Sequence, residues 1–217
     1  MNGSDQVSGP EAYHRWYYEQ RVWERVHWMG VPCLKSVADM WNYQEVIFRL
    51  RPSLIVEFGT RFGGAALFFA MVGNAARTGC HVFTVDADHT DLYPEIRRHP
   101  AIETRLGRST DPEVLARLGV LRQSRPGSVF AILDSDHRKA NVLAEMLALR
   151  DFLVAGDYLV VEDGNINGHP VLPGWGEGPW EAIQEYVSRY PEDYVRDVET
   201  EKRFGFTFAP RGFLKRR

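Results

Sequence analysis

Two short clusters in this chain carry most of its chemical potential. "LDSDH" at 133–137 sets Asp134, Asp136 and His137 within four positions, and "VVEDGN" at 160–165 sets Glu162 beside Asp163. Each cluster follows an apolar, β-branched run, "SVFAI" and "DYLVV". Neighbouring strands lie ~4.8 Å apart, so two such runs side by side would bring Asp134, Glu162 and Asp163 together at one sheet edge. Clustered carboxylates raise one another's pKa and resist ionising together. A divalent cation resolves that repulsion. All-oxygen ligation favours Mg²⁺, with Mn²⁺ or Ca²⁺ as alternatives, and leaves positions open to water or substrate. His137, three residues past Asp134, is then placed to take a proton from a metal-bound hydroxyl. The plainer alternative makes Asp134 a helix cap and "EDGN" a polar turn, but it does not explain why both strands end in acid.

A second candidate site lies at "VEFGTRFGGA", where an apolar strand turns into a helix. Gly59, Gly63 and Gly64 let backbone approach a ligand, and a helix N-terminus offers free N–H groups. The spacing is not the dinucleotide G-x-G-x-x-G. Glu57 inside the turn suits an amino-bearing cofactor better than a pyrophosphate, and S-adenosylmethionine carries an ammonium and a sulfonium. The next strand ends in Asp86, Ala87 and Asp88, where a carboxylate can accept ribose hydroxyls. After the third strand, Arg108 and Ser109 would flank an adenine; capping of the following helix by Ser109 or Thr110 is compatible with that. The cofactor candidates are thus Glu57, Gly59, Thr60, Arg61, Gly63, Asp86, Ala87, Arg108, Ser109 and Asp134. Trp28, Lys35, Asp136 and His169 are the candidate substrate contacts; His169 sits in a long Gly/Pro/Asn loop that could cover the substrate, with a plain loop histidine as the alternative reading.

The elements that must position these residues follow from hydrophobic periodicity. From residue 53 onward short apolar runs alternate with helical segments of 10–15 residues, which calls for a mostly parallel sheet covered on both faces. Seven strands are expected, the last two, "YVRDVET" and "FGFTFAPRGFLKR", as an antiparallel hairpin joined through "EKR". The fold class is α/β, a doubly wound, Rossmann-like sheet, whose ligands bind beyond the carboxyl ends of the strands. The first ten residues read as a tail, and residues ~11–50 as aromatic-rich helices whose Trp23, Trp28 and Trp41 would lid the site. This divides the chain into a tail and helical cap, 1–50, and an α/β unit, 51–217, within one compact domain.

Composition bounds the class of function. The 217 residues are 44% hydrophobic and 25% charged, with a formal net charge of −3. No basic stripe is available for nucleic acid, and no apolar stretch approaches the ~20 residues of a membrane span. Cys33 and Cys80 lack metal-type spacing and read as reduced thiols of a cytoplasmic protein.

The stretches "KSVADMWNYQEVIFRLRPSLIVEFGTRFGGAALFFA", "VDAD", "LDSDH" and "VVEDGNINGHPV" followed by "GPWEA" together resemble the cephalosporin hydroxylase/rhamnosyl O-methyltransferase family over roughly residues 28–213. The resemblance implies a class I, S-adenosylmethionine- and Mg²⁺-dependent O-methyltransferase, with residues 51–217 as its catalytic domain and a sugar or hydroxylated natural product as acceptor. It also implies Asp134, Glu162 and Asp163 as metal ligands, His137 as general base, and Glu57, Gly59, Asp86 and Ser109 as cofactor contacts. Two positions depart from relatives: Ala65, where a serine is common, and Arg61, where catechol enzymes carry a tyrosine. Two other readings remain: a non-haem iron hydroxylase using His137, His169 and Asp134, or a non-catalytic partner of another enzyme. A homo-oligomer is compatible with either.

Overall fold

The computed structural model describes residues 8–217. Helix α1 (Gly9–Glu19) starts at Gly9, earlier than the expected tail allowed, because the Ser8 hydroxyl accepts the Glu11 N–H and Pro10 fits the first turn. The rest of the expected tail, residues 1–7, lies outside the described residues. A 3₁₀ turn (Val22–Arg25) leads into a two-stranded ribbon, β1 (His27–Trp28) with β2 (Val31–Pro32), and then helix α2 (Val37–Leu50).

The α/β unit then runs β3 (Leu54–Phe58), α3 (Gly64–Ala75), β4 (His81–Asp86), α4 (Pro94–Arg97), β5 (Ile102–Leu106) and α5 (Pro112–Ser124). It continues with β6 (Val129–Leu133), α6 (Lys139–Ala148), β7 (Tyr158–Val161), α7 (Pro179–Arg189), β8 (Tyr194–Arg196), α8 (Val198–Lys202) and β9 (Phe213–Arg216). The main sheet has seven strands in the order β5-β4-β3-β6-β7-β9-β8, with β9 alone reversed against its two neighbours. The doubly wound expectation is met, and β6 does lie beside β7, Leu133 opposite Val161.

The expected hairpin differs in its connection. Asp197 stops the penultimate strand by accepting the Thr200 N–H and capping α8, so only Phe213–Arg216 of the long C-terminal run pairs, inserted between β7 and β8.

Strand periodicity assigns side chains to the two faces. Ile55, Phe130, Ile132, Tyr158 and Val160 share one core with Tyr43, Ile47 and Phe69 of α2 and α3. Leu54, Val56, Ala131, Leu133, Leu159 and Val161 share the other with Leu118, Val142, Met146 and Ile183 of α5, α6 and α7. The parity continues past the strand ends: Glu57, Asp134 and Glu162 fall in step with Ile55, Ile132 and Val160. All three carboxylates therefore belong to the α2/α3 side of the sheet edge, where the segment after β2 enters.

Candidate active site at the strand carboxyl ends

Sheet order reverses between β3 and β6, and a crevice opens there, as is usual for open α/β sheets. It is a cavity of about 730 Å³ lined by residues that follow each strand: Gly59–Phe62 after β3, Asp86 and Ala87 at the end of β4, Gly107–Thr110 after β5, Asp134–His137 after β6, and Asp163 after β7.

The glycine turn owes its composition first to the protein's own backbone. Gly59 has φ +105°, and a Cβ there would stand 2.0 Å from the carbonyl oxygen of Asp134. The Asp134 N–H donates to the Phe58 carbonyl at 2.8 Å, so the two turns interlock. Gly64 is as constrained, since a Cβ would stand 2.3 Å from the Pro32 carbonyl oxygen. Gly59→Ala should therefore cost about 3 kcal/mol or more, combining strain at positive φ with a backbone clash. Urea unfolding measures this, and a loss under about 1 kcal/mol would mean that the interlock relaxes freely.

Around the turn, Glu57 is fully buried. It accepts the Thr84 hydroxyl at 2.7 Å through Oε2, and Oε1 has no partner. Burial pushes its carboxyl up to about 7, with Lys35 and Thr84 opposing. It lies under the crevice rather than in its wall, whereas Thr60 and Arg61 line it. The Thr60 and Thr84 hydroxyls are 2.6 Å apart. Asp86 accepts the Arg61 N–H at 2.8 Å through Oδ2 and the Asp88 N–H at 3.1 Å through Oδ1, which fixes its carboxylate at the rim. The Ser109 hydroxyl is not free for an adenine: it donates to buried Glu145 Oε1 at 2.5 Å, as does Ser135. Arg108 lines the crevice and is positioned by its N–H to Asp111 Oδ2 at 2.8 Å.

At the acidic edge, ligand atoms of Asp134, His137 and Asp163 lie within 4.8 Å of one another. His137 Nε2 is 3.4 Å from Asp163 Oδ2. Burial, tempered by His137, pushes the Asp163 carboxyl up to about 6. Glu162 stands beside this cluster, its Oε1 bonded to Lys35 at 2.7 Å. This donor set, rich in carboxylate oxygen and open to the crevice, fits a hard divalent cation.

Three expected substrate contacts do not reach the crevice. Lys35 is 1% exposed and bonds Asp134 Oδ2 at 2.5 Å and Glu162 Oε1 at 2.7 Å, so its ammonium is consumed internally. Trp28 packs edge-on against Phe68 at 4.9 Å and, with Trp41, lines a separate apolar groove beside α2, because β1 turns its ring towards α3. His169 stacks on Trp180 at 4.1 Å and meets Glu181 Oε1 at 3.1 Å in another cavity. The two-histidine, one-carboxylate iron set is therefore not assembled. Asp136 does line the crevice, paired with Arg138.

The periodicity gave no warning of the aromatic wall. Tyr18, Trp23, Trp175 and Phe208 line the crevice, of which only Trp23 was expected. Burial and the nearby Asp163 charge push the Tyr18 hydroxyl up to about 12, so it stays a donor at neutral pH. The helix α1 that carries Tyr18 is tied to the loop after β7 by His14 and Asn165, 2.9 Å apart.

Residues 20–217 match the family described as Rhamnosyl O-methyltransferase/CmcI. The chain belongs to that family. Rhamnosyl O-methyltransferase of Mycobacterium tuberculosis is 53% identical over 213 residues, 98% of this chain and 86% of the relative. That of Mycobacterium leprae is 54% identical over 207 residues, 95% and 90% of the two chains. Among solved structures, CmcI in its Mg-SAM form superposes with a TM-score of 0.69 at 24% identity, covering 89% of this chain and 77% of that one. This last likeness bears on the fold alone, which it matches. The family is one of O-methyltransferases, and the resemblance carried by the sequence motifs is thereby met.

Proposed function

We propose that this member of the family is an S-adenosylmethionine- and divalent-cation-dependent methyltransferase acting on a hydroxyl of a sugar, a rhamnoside first among candidates. The reading rests on one observation: Asp134, His137 and Asp163 cluster at the mouth of the crevice that also holds the glycine turn and Asp86. Relatives more than half identical over nearly the whole chain are named for rhamnosyl O-methylation.

Bound here, S-adenosylmethionine would supply an electrophilic methyl group and a divalent cation would lower the pKa of the acceptor hydroxyl. The chain's residues do the rest. Asp134 and Asp163, with Glu162 as the third carboxylate, would hold the cation. His137 accepts the acceptor hydroxyl's proton on its ring. Thr60, Arg61 and Ala87 shape the cofactor pocket, and Asp86 accepts from the ribose hydroxyls. Tyr18 donates towards the acceptor, and Trp23, Trp175 and Phe208 offer flat apolar surface to a sugar face while excluding water. Positioning of this kind supplies much of the rate.

The test is mass spectrometry of purified protein incubated with S-adenosylmethionine, Mg²⁺ and a panel of rhamnosides, other glycosides and polyphenols. A product heavier by one methylene on a sugar hydroxyl is expected. Methylation of polyphenols alone would reassign the acceptor.

The cofactor assignment has its own check. Asp86→Ala should weaken binding of S-adenosylmethionine, or of its demethylated product, about ten- to a hundredfold, the cost of a charge-assisted hydrogen bond of roughly 1.5–3 kcal/mol. Unchanged affinity by calorimetry would place the ribose elsewhere.

A further inference from the structure

Lys35 is a cation built into the floor of the acidic site. It is as buried as the core, and both of its described hydrogen bonds go to carboxylates at the strand ends, Asp134 Oδ2 at 2.5 Å and Glu162 Oε1 at 2.7 Å. Glu57, Asp134 and Glu162 share one sheet face by strand parity. Lys35 reaches Asp134 and Glu162 from the segment between β2 and α2, after the ribbon has packed so closely on α3 that Gly64 admits no Cβ. A buried carboxylate without a partner is costly, and a pair of them more so. A lone ammonium set between two carboxylates does for the metal-free protein what a divalent ion would do for the loaded one.

We propose that Lys35 is the counter-cation of this site: it neutralises Asp134 and Glu162 when no metal is present, and it tempers the site's affinity for a divalent ion. The proposal rests on the metal-site reading above. Two effects of removing the charge oppose each other. Loss of a positive charge a few ångströms from the site strengthens attraction for an incoming cation. Loss of two hydrogen bonds loosens the carboxylates. The first dominates, because the backbone anchors of both acids do not involve Lys35: the Asp134 N–H donates to the Phe58 carbonyl at 2.8 Å and the Glu162 N–H to the Leu133 carbonyl at 2.9 Å. Lys35 is thus a positioning residue whose removal should tighten metal binding while destabilising the metal-free fold.

The experiment uses the full chain and Mn²⁺ as probe, with free ion followed by electron paramagnetic resonance. Thermal unfolding is measured in excess chelator and in saturating Mg²⁺. Lys35→Met removes charge and hydrogen bonding; Lys35→Gln keeps a donor without charge. Both variants should bind Mn²⁺ about tenfold or more tightly than the wild type. Both should melt below the wild type in chelator, and Mg²⁺ should restore most of the difference. Equal or weaker Mn²⁺ binding by the two variants would overturn the proposal, as would a melting deficit that Mg²⁺ leaves unchanged. Failure to recover either variant folded even when purified in Mg²⁺ would also count against it, since the ion should then take over both carboxylates. A wild type that binds no Mn²⁺ would instead remove the metal-site reading itself, an outcome separable from the others.

Discussion

Asp134→Ala is expected to lose at least about 10³-fold in turnover, because on the proposed reading several kcal/mol of transition-state stabilisation would depend on a cation held there. Asp134 is the residue on which the site converges. Its N–H closes onto β3, its carbonyl oxygen fills the space that Gly59 leaves, and its carboxylate meets both Lys35 and the His137–Asp163 cluster. Cofactor affinity should change far less, since the rim at Asp86 and the turn at Thr60–Arg61 stay in place. The check is to measure kcat and, separately, the affinity for the demethylated cofactor by calorimetry. Turnover within tenfold of wild type would show that the cation, if used, is held without Asp134.

His137→Ala should lower kcat by about 10²- to 10⁴-fold, the range for a positioned general base. An aliphatic sugar hydroxyl is a poor nucleophile until it loses its proton, and the His137 ring stands beside the Asp134–Asp163 pair, 3.4 Å from Asp163 Oδ2. Mn²⁺ affinity separates this role from ligation: a base leaves it nearly unchanged on substitution, whereas a ligand does not. If His137→Ala keeps near-normal kcat, the proton leaves through another group, Asp136 being a candidate in the crevice wall.

Much of this arrangement was legible in the sequence because strands advertise themselves by burial on both faces. "LIVEF", "VFAIL" and "YLVV" are buried at every position, and runs of that kind between helical segments admit few architectures. The adjacency of β6 and β7, and with it the meeting of Asp134 and Asp163, needed a sheet order as well as the alternation, since the equally consecutive β5 and β6 are not neighbours. The exact partners of Glu162 followed from neither, although strand parity carried enough information to place it with Glu57 and Asp134 on the α2 side. What parity could not supply was Lys35, a single residue in an aperiodic segment, whose burial depends on how the β1–β2 ribbon packs against α3. The aromatic residues of the N-terminal region show the same limit. Trp23 and Trp28 look alike in sequence, yet a short ribbon sends one to the crevice and the other to Phe68. His169 proves the loop histidine of the alternative reading: its loop folds back onto α7, where Glu181 accepts from Asn167, meets His169 and takes the Gly178 N–H.

The C-terminal edge shows how one cap redirects a chain. Residues 194–216 carry strand-like apolar runs at both ends, but the Asp197 side chain accepts from Thr200 and starts a helix between them. The segment that follows then crosses towards α1 and α2. Asp39 accepts the Thr207 hydroxyl at 2.5 Å and the Phe208 N–H at 2.8 Å. Phe208 in turn stacks at 5.6 Å on His14 and forms part of the crevice wall. A wall residue of the site is therefore placed by a turn that no local pattern announces.

On the proposed function, methyl transfer in this crevice runs on a cation held at the β6 and β7 strand ends. The most direct measurement is turnover of a rhamnoside acceptor with S-adenosylmethionine in excess chelator, followed by re-addition of Mg²⁺, with cofactor binding monitored in both conditions. Loss of activity in chelator, retention of cofactor binding, and recovery on adding Mg²⁺ are expected. Full activity in excess chelator would contradict the proposed function.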